Sequence, residues 1–270
     1  MKIFKTFIKL NFFLVLILSF HSCTFLSSAG LSSKGLPAKE VPRDLTSTPA
    51  KSIVNIDHSR WNKLLKKHVD SQGNVDYKAF QKDKEELGRY LQMLSENKPT
   101  DQWSVQEQLA YYINLYNAHT VNLILDNYPV KSIKDISGPW TMGFIKVGDT
   151  EMSLGGIENS ILRKMNEPRI HFAINCASIS CPNLYNEAFT AAKINEQLDQ
   201  VTKNFINSNK NDIQPEAAQL SSIFDWYKKD YFVHGIKSVR EYINQYSKIK
   251  IKEGANISFK DYNWNLNEQK

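Results

Sequence analysis

Cysteine is scarce in this sequence, and so are basic clusters and long apolar runs. The 270 residues include three cysteines, Cys23, Cys176 and Cys181, too few for a small scaffold held together by several disulfides. Lysine and arginine outnumber aspartate and glutamate by 34 to 28, but no basic cluster is interleaved with aromatic residues. We therefore expect no nucleic-acid partner and no disulfide-dense fold.

The N-terminal residues are organised like a secretory signal. Three lysines within the first nine residues precede an apolar run at residues 12–20, which is too short to cross a bilayer as a permanent helix. Ser22 comes directly before Cys23, which resembles the lipobox of bacterial lipoproteins. Phe20 and His21 depart from the commonest lipobox pattern, so cleavage by the ordinary signal peptidase and an uncleaved anchor are alternatives. We predict a signal peptide at residues 1–22 and an exported protein, lipid-anchored through Cys23 to the periplasmic or surface face of a bacterial envelope membrane.

The segment after Cys23 differs in composition from the rest of the chain. Residues 24–50 are rich in serine, threonine, glycine and proline and have no sustained hydrophobic period. We predict a lipidated cysteine and flexible tether at residues 23–50. Residues 51–270 contain no second linker and no internal repeat, and we predict that they form one domain.

Hydrophobic periodicity predicts that this domain is mainly helical. Apolar residues at helical spacing indicate helices over residues 61–68, 77–98, 105–127, 157–165, 194–205 and from 238. Ser104 and Ser238 are each followed three residues later by glutamate, which is the spacing of a capping box. Gly148-Asp149 predicts a short hairpin, and alternation over residues 169–176 predicts a strand. The predicted fold class is α+β, a mainly helical single domain with a small, mostly antiparallel sheet.

Five segments of this domain carry a family resemblance. They are GNVDY (73–77), YYINLYNAHT (111–120), GIENSILR (156–163), RIHFAINCASISCPNL (169–184) and SSIFDWYKKDY (221–231). In this order they resemble the DUF547 family, whose role is uncharacterised, over about residues 61–264. Glu158 is followed by Asn159, where such proteins commonly have histidine, so no imidazole is expected at that position.

Cysteine and histidine occur close together in one of these segments. A thiol nucleophile needs a group that holds it as thiolate, and His171 is the histidine nearest to Cys176 and Cys181 in sequence. On a strand, His171 and Cys176 would lie on opposite faces, so Cys181 could fold back toward the imidazole more easily. A bulge would leave either cysteine as the nucleophile.

Two alternatives give the same cysteines other roles. The first alternative is a Cys176–Cys181 disulfide. An exported protein meets an oxidising environment, and these two cysteines are the pair that remains once Cys23 carries a lipid. A metal site at His171 and the two cysteines lacks a fourth ligand and the tight spacing usual for zinc. We therefore predict no metal and no cofactor.

Several polar residues are candidates for a supporting role. Glu158 is predicted to orient His171, or else to begin its helix as a carboxylate favoured by the helix dipole. Arg163 is not an i,i+4 partner of Glu158 and should contact another group. Asn114 and Asn117 share one face of an apolar helix, where they either satisfy backbone groups or line a site. Asn175 follows His171 on the same face of the predicted strand.

Two hypotheses for function follow from these residues. By analogy with other Cys/His pairs, the domain is a thiol-dependent hydrolase or transferase acting on an amide or ester, with catalytic residues Cys181 or Cys176, His171 and Glu158. Alternatively it is a non-catalytic binding or scaffold lipoprotein with a Cys176–Cys181 disulfide. The expected partners are a membrane, through the lipid, and an envelope substrate or protein that the sequence does not identify.

Replacement of Cys23 tests the lipid anchor. We expect Cys23→Ala to abolish acyl labelling and to shift much of the protein out of the membrane fraction, because the acyl chains supply the membrane affinity. Metabolic labelling with a fatty-acid probe and fractionation measure both effects. Unchanged labelling in Cys23→Ala would refute the assignment.

Overall fold

The computed structural model describes residues 24–270, so the predicted signal peptide and Cys23 lie outside the described residues. Short 3-10 turns join several of the elements. The helices are α1 (24–28), α2 (Ser59–His68), α3 (Tyr77–Phe80), α4 (Lys84–Glu96), α5 (Val105–Asn127), α6 (Leu154–Gly156), α7 (Ile170–Ala173), α8 (Ile194–Ile206), α9 (Ile223–Trp226) and α10 (Val239–Tyr246). The strands are β1 (Ile145–Val147), β2 (Thr150–Met152), β3 (Asp212–Ile213), β4 (Ala217–Leu220) and β5 (Asn256–Phe259). Within this part of the chain, no helix is long and apolar enough to cross a membrane.

Helix α5 forms the centre of the domain. Its capping box is present as predicted: Ser104 Oγ accepts from the Glu107 amide, and the Glu107 carboxylate accepts from the Ser104 amide at 2.9 Å. Every residue from Glu107 to Val121 is buried, so the helix has no solvent face along this stretch. A helix buried on all sides lies inside a fold, and its polar residues must find partners there.

The predicted helix over residues 157–165 is present but irregular. Helix α6 continues into a π-helical turn at Ile157–Ile161 and a 3-10 turn at Leu162–Met165. We call residues 154–165 the irregular helix. It packs closely on its surroundings, because a Cβ atom on Gly155 would lie 2.6 Å from the Trp140 carbonyl oxygen. The glycine therefore allows the irregular helix to approach the Trp140 loop.

The strand predicted over residues 169–176 is wrong. Residues Ile170–Ala173 form α7, and the His171 amide donates to the Pro168 carbonyl. His171 and Ala173 are as buried as Ile170 and Phe172, so both faces of the segment are covered. An alternation of apolar residues cannot distinguish a strand from a helix in so short a buried segment.

The sheets are small, as predicted for an α+β fold. Strands β1 and β2 form the antiparallel hairpin around Gly148-Asp149. Strand β4 pairs with β3 antiparallel and with β5 parallel. After β5 the extended tail crosses the domain, where the Asn265 carbonyl accepts from the Ile179 amide and the Asn263 carbonyl accepts from the Ser180 amide. The mainly helical α+β class is confirmed.

Residues 24–50 do not form the flexible tether that their composition predicted. Leu36, Val41 and Leu45 are at most 6% exposed and belong to the hydrophobic core. The Val41 amide donates to the Met165 carbonyl at 2.7 Å, and the Thr48 amide donates to Ala191. The apolar residues of this segment show no helix or strand periodicity because each packs separately against a core formed by other elements.

Truncation of Leu36 tests this packing. Leu36→Ala should lower the free energy of unfolding by about 2–3 kcal/mol and increase protease cleavage within residues 24–50, because a buried side chain is lost. Leu31→Ala is the matched control, since Leu31 is 72% exposed and should change stability by about 0.5 kcal/mol or less. Limited proteolysis with mass mapping and urea denaturation measure both. Rapid cleavage of this segment in the wild type would contradict the packed arrangement.

Candidate functional site

Cys176 and Cys181 come together in a tight loop. Their sulfurs lie 3.0 Å apart, farther than the about 2.05 Å of a disulfide, and both cysteines are free thiols. The Cys176 amide donates to Cys181 Sγ at 2.9 Å. Cys176 is partly exposed, whereas Cys181 is 5% exposed. The loop therefore presents one accessible thiol with a second thiol behind it.

The surroundings of the two sulfurs shift their pKa values in opposite directions. Hydrogen bonds to Cys176 from Cys181, Ser178 and Tyr262 together outweigh the effect of burial and lower the pKa of Cys176 below its usual value. The Ser178 and Tyr262 hydroxyl oxygens lie 3.2 Å and 3.3 Å from Cys176 Sγ. Burial raises the pKa of Cys181, and the neighbouring Cys176 sulfur adds to this effect. Cys176 is thus the thiol poised to ionise.

Buried amides hold this loop in place. Asn117 of α5 donates to the Ala173 carbonyl at 2.9 Å and accepts from the Asn175 amide at 2.8 Å. Asn175 in turn donates to the Pro182 carbonyl and accepts from the Ala177 amide. Ala177 has a φ of 56°, an uncommon conformation for alanine that this bond supports. Asn117 therefore satisfies buried backbone groups, one of the two roles predicted for it, and these groups belong to the segment that carries the thiol.

Asn114 has the same kind of role farther from the thiols. Its side chain donates to the Phe189 carbonyl at 2.7 Å and accepts from the Phe189 amide at 3.0 Å. Both polar groups of Phe189 are buried and would be costly to leave unpaired. Asn114 is therefore a structural residue that fixes the chain before α8.

The carboxylate that contacts His171 is Asp230, not Glu158 as predicted. His171 Nε2 lies 2.9 Å from Asp230 Oδ2. Arg163 Nε donates to Asp230 Oδ2 at 2.6 Å and Arg163 Nη2 donates to Oδ1 at 2.9 Å, a bidentate pair. Burial raises the pKa of Asp230, but the bonds from His171 and Arg163 outweigh it and hold this pKa well below its usual value.

Asp230 was missed because its sequence position carries no local signal. It lies 59 residues after His171, and the packing of the chain after α9 brings it to the imidazole. Its one clue is its place in the segment SSIFDWYKKDY. In that segment a second aspartate, Asp225, is exposed and has no comparable position in the site.

Glu158 belongs to a neighbouring network of hydroxyl groups. Tyr227 donates to Glu158 Oε1 at 2.6 Å, and Tyr116 donates to Oε2 at 3.3 Å. The Tyr227 ring stacks on the His171 imidazole with centroids 4.0 Å apart. Glu158 and His171 are therefore linked through Tyr227 rather than by a direct hydrogen bond.

These groups share one narrow pocket. It has a volume of about 80 Å³, and both cysteines, His171 and Glu158 line it. Its remaining walls are largely aromatic: Tyr116, Trp140, Trp226, Tyr227, Tyr262 and Trp264. Tyr262 packs against Trp226 and Trp264 with ring centroids 4.8 Å and 4.5 Å apart. The pocket combines an ionisable thiol, an imidazole and a carboxylate with apolar walls.

A larger cavity elsewhere in the domain lacks such a combination. It has a volume of about 430 Å³ and lies between residues 50–62 and the start of α5. His58 on its wall contacts the Tyr90 hydroxyl, and the Glu107 carboxylate already accepts a hydrogen bond from the Ser104 amide. Volume alone therefore does not identify the site. Among residues 24–270, no group of three or more histidine, cysteine or acidic side chains is placed to hold a metal ion.

The fold and the site define a mainly helical α+β domain with an accessible thiol in an aromatic pocket. The sequence model of the family described as "Protein of unknown function, DUF547" matches residues 100–206. This match supports the assignment of the segment to the DUF547 domain family, and it includes Cys176, His171 and Glu158 but not Asp230. Neither a curated protein nor a solved structure matched the chain.

Neutralising Asp230 tests the network around His171. We expect Asp230→Asn to lower the free energy of unfolding at pH 7 by about 2–3 kcal/mol, because charged hydrogen bonds to Arg163 and His171 are lost. The folded-state pKa of Asp230 is depressed, so its stabilising effect is present above the unfolded-state pKa of about 3.9 and is lost as pH falls toward the folded-state value. The difference between wild type and variant should therefore narrow below about pH 4.

The control for this prediction is Asp225→Asn, on the exposed surface of α9. It should change the free energy of unfolding by about 0.5 kcal/mol or less at any pH. Urea denaturation from pH 3 to pH 7 provides the comparison. Equal effects of the two substitutions would show that the hydrogen bonds of Asp230 contribute nothing to the free energy of unfolding.

Proposed function

We propose that this protein is a lipid-anchored protein of the bacterial cell envelope whose domain uses Cys176 to hydrolyse or transfer an acyl group at an amide or ester. The proposal is carried by the Cys176 thiol, which is partly exposed, has a lowered pKa and opens into a pocket also lined by His171 and Glu158. The signal-like N-terminus and the position of Cys23 support the anchor. Thiolate, not thiol, is the attacking species in such chemistry.

The reaction divides into two steps. The Cys176 thiol gives its proton to His171 Nδ1, the thiolate attacks the substrate carbonyl carbon to form a carbon–sulfur bond, and the bond to the leaving amine or alcohol breaks as that group takes the proton from Nδ1. Water, or an acceptor amine or alcohol, then attacks the thioester carbon and gives a proton to Nδ1, and the carbon–sulfur bond breaks as Cys176 takes that proton back. His171 Nε2 is occupied by Asp230, so Nδ1 is the ring nitrogen that remains to exchange protons with the substrate.

The two cysteines are not equivalent candidates for the nucleophile. Sequence geometry favoured Cys181 on the assumption of a strand at residues 169–176, and that strand is absent. Cys181 is buried and its pKa is raised, whereas Cys176 has three side-chain groups that stabilise its thiolate. We therefore assign attack to Cys176 and hydrogen bonding to Cys181.

The short distance between the sulfurs favours a second candidate function. With Sγ atoms 3.0 Å apart, thiol–disulfide exchange with a disulfide of another envelope protein would join Cys176 and Cys181 after little movement, and that disulfide would be reduced to two thiols. An envelope protein in an oxidising setting would then be a disulfide-braced binding module. The number of free thiols in protein recovered from the envelope without reductant distinguishes the two functions.

Alkylation by iodoacetamide tests the thiol. Cys176 should react faster than Cys181 near pH 7, where an ordinary thiol with a pKa of about 8.5 is only a few per cent ionised. Tyr262→Phe removes a donor to the thiolate, so it should raise the pKa of Cys176 and slow alkylation several-fold at pH 7. Tyr185→Phe is the control, since Tyr185 lies outside the pocket lining. Peptide mapping by mass spectrometry assigns each modified cysteine.

Turnover is measured on a panel of chromogenic esters and amides. Cys176→Ala should abolish turnover, while Cys181→Ser should retain part of it because a hydroxyl replaces the thiol donor. Two free but equally slow thiols, or turnover that survives Cys176→Ala, would refute the catalytic role. A fully oxidised pair in native protein would favour the binding module.

A further inference from the structure

The chain is hydrogen-bonded to the domain within a few residues of Cys23. The Ser27 carbonyl accepts from Ser160 Oγ at 2.6 Å, and the Ser28 carbonyl accepts from Asn159 Nδ2 at 2.8 Å. A flexible chain as long as residues 24–50 would have an end-to-end distance of about 30 Å. Instead, the domain is held from the fourth residue after the predicted lipid site.

The groups that hold this segment adjoin the thiol pocket. Ser28 Oγ donates to the Trp140 carbonyl at 3.2 Å, and the Trp140 side chain lines the pocket. Asn159 follows Glu158, another lining residue, on the irregular helix. Asn159 also accepts from Arg163, the partner of Asp230. The predicted anchor therefore leaves the domain beside a wall of the pocket.

Residues 25–31 and the loop after Trp140 carry several exposed apolar side chains. Phe25, Leu26 and Leu31 are 65%, 42% and 72% exposed, and the Leu31 amide donates to the Leu26 carbonyl, which keeps this turn compact. Met142, two residues after Trp140, is 57% exposed. We call Phe25, Leu26, Leu31 and Met142 the apolar patch. The Ser28–Trp140 hydrogen bond joins the two segments that carry these side chains, and grouped exposed apolar side chains are a feature of protein or membrane contact sites.

The rim of the pocket has residues typical of a membrane interface. Trp226 is 48% exposed and stacks on Trp264 with ring centroids 5.9 Å apart. Lys134 Nζ lies 5.2 Å from the Trp264 ring. Tryptophan favours the headgroup level of a bilayer, and a lysine ammonium beside the ring is at the level where it can meet lipid phosphate.

From these observations we infer that the apolar patch and the aromatic rim rest on the lipid bilayer, so that the thiol pocket opens at the membrane surface. Its substrate is then an ester or amide carried by a membrane component. The choice of a bilayer as occupant follows from the predicted lipid site at Cys23, which lies two residues before Phe25 in the sequence, so its acyl chains would enter the membrane next to the patch. The substrate class rests on the proposed thiol chemistry, while the orientation rests only on the lipid anchor and the surface.

Tryptophan quenching by lipid tests the orientation. The full lipidated protein is placed in vesicles of phosphatidylcholine with a minority of phosphatidylglycerol, with or without bromine on the acyl chains near the headgroups. Trp61 and Trp103 are at most 2% exposed, so quenching should come from the tryptophans at the pocket. We expect clear quenching in the wild type and a loss of at least about half of it in Trp226→Phe.

A matched pair of double variants identifies the surface. Phe25→Ser with Leu31→Ser should reduce quenching at least about twofold, because the apolar patch no longer enters the interface. Ile53→Ser with Val54→Ser removes two other exposed apolar side chains, 102% and 46% exposed, and should leave quenching unchanged. An unquenched wild type, or equal losses in the two double variants, would overturn the orientation.

The substrate class is tested separately with one acyl ester offered in solution and attached to a lipid in the same vesicles. Turnover of the lipid-attached ester should fall several-fold in the Phe25→Ser, Leu31→Ser protein, and turnover of the soluble ester should not. Quenching without any Cys176-dependent turnover would refute the thiol chemistry and support the orientation. Turnover of the soluble ester alone, without quenching, would support the thiol chemistry and overturn this inference.

Discussion

The side-chain amide of Asn117, buried in the middle of α5, determines where the chain leaves the core to form the thiol loop. It bonds the Ala173 carbonyl and the Asn175 amide, on either side of Ile174. An amide in so apolar a helix would be costly if unpaired, so these bonds hold the segment in one position. Asn175 then supports Ala177 in its uncommon conformation and bonds Pro182, which brings Cys181 back to Cys176. The accessible thiol thus depends on an amide that never contacts it.

The two carboxylates near the pocket have different partners and therefore different roles. Asp230 lies between Arg163 and His171, whose charge and hydrogen bonds favour its ionised form. Glu158 accepts from two tyrosine hydroxyls. Tyr227 joins the networks, because its ring covers His171 while its hydroxyl contacts Glu158. Any change in the position of Tyr227 would alter the surroundings of both groups.

Asn159 connects the site to the N-terminal segment. The resemblance to DUF547 proteins would place histidine here, and the asparagine instead bonds Arg163 and the Ser28 carbonyl. An imidazole at this position is therefore not part of the site in this chain. The asparagine supports the arginine that orients Asp230 and holds the residues that follow the predicted anchor. Asn159 therefore links the geometry of the site to the position of the N-terminal segment.

The capping box at Ser104, the N-cap at Ser238 and the hairpin at Gly148 could be predicted from sequence because each depends on residues a few positions apart. The sequence by itself also determined that few thiols exist and that two of them lie five residues apart. Only the tertiary structure decided that residues 24–50 pack on the core, that residues 170–173 are helical, and that Asp230 meets His171. These outcomes depend on surfaces supplied by distant parts of the chain, and burial on all sides removes the periodicity from which local structure is read.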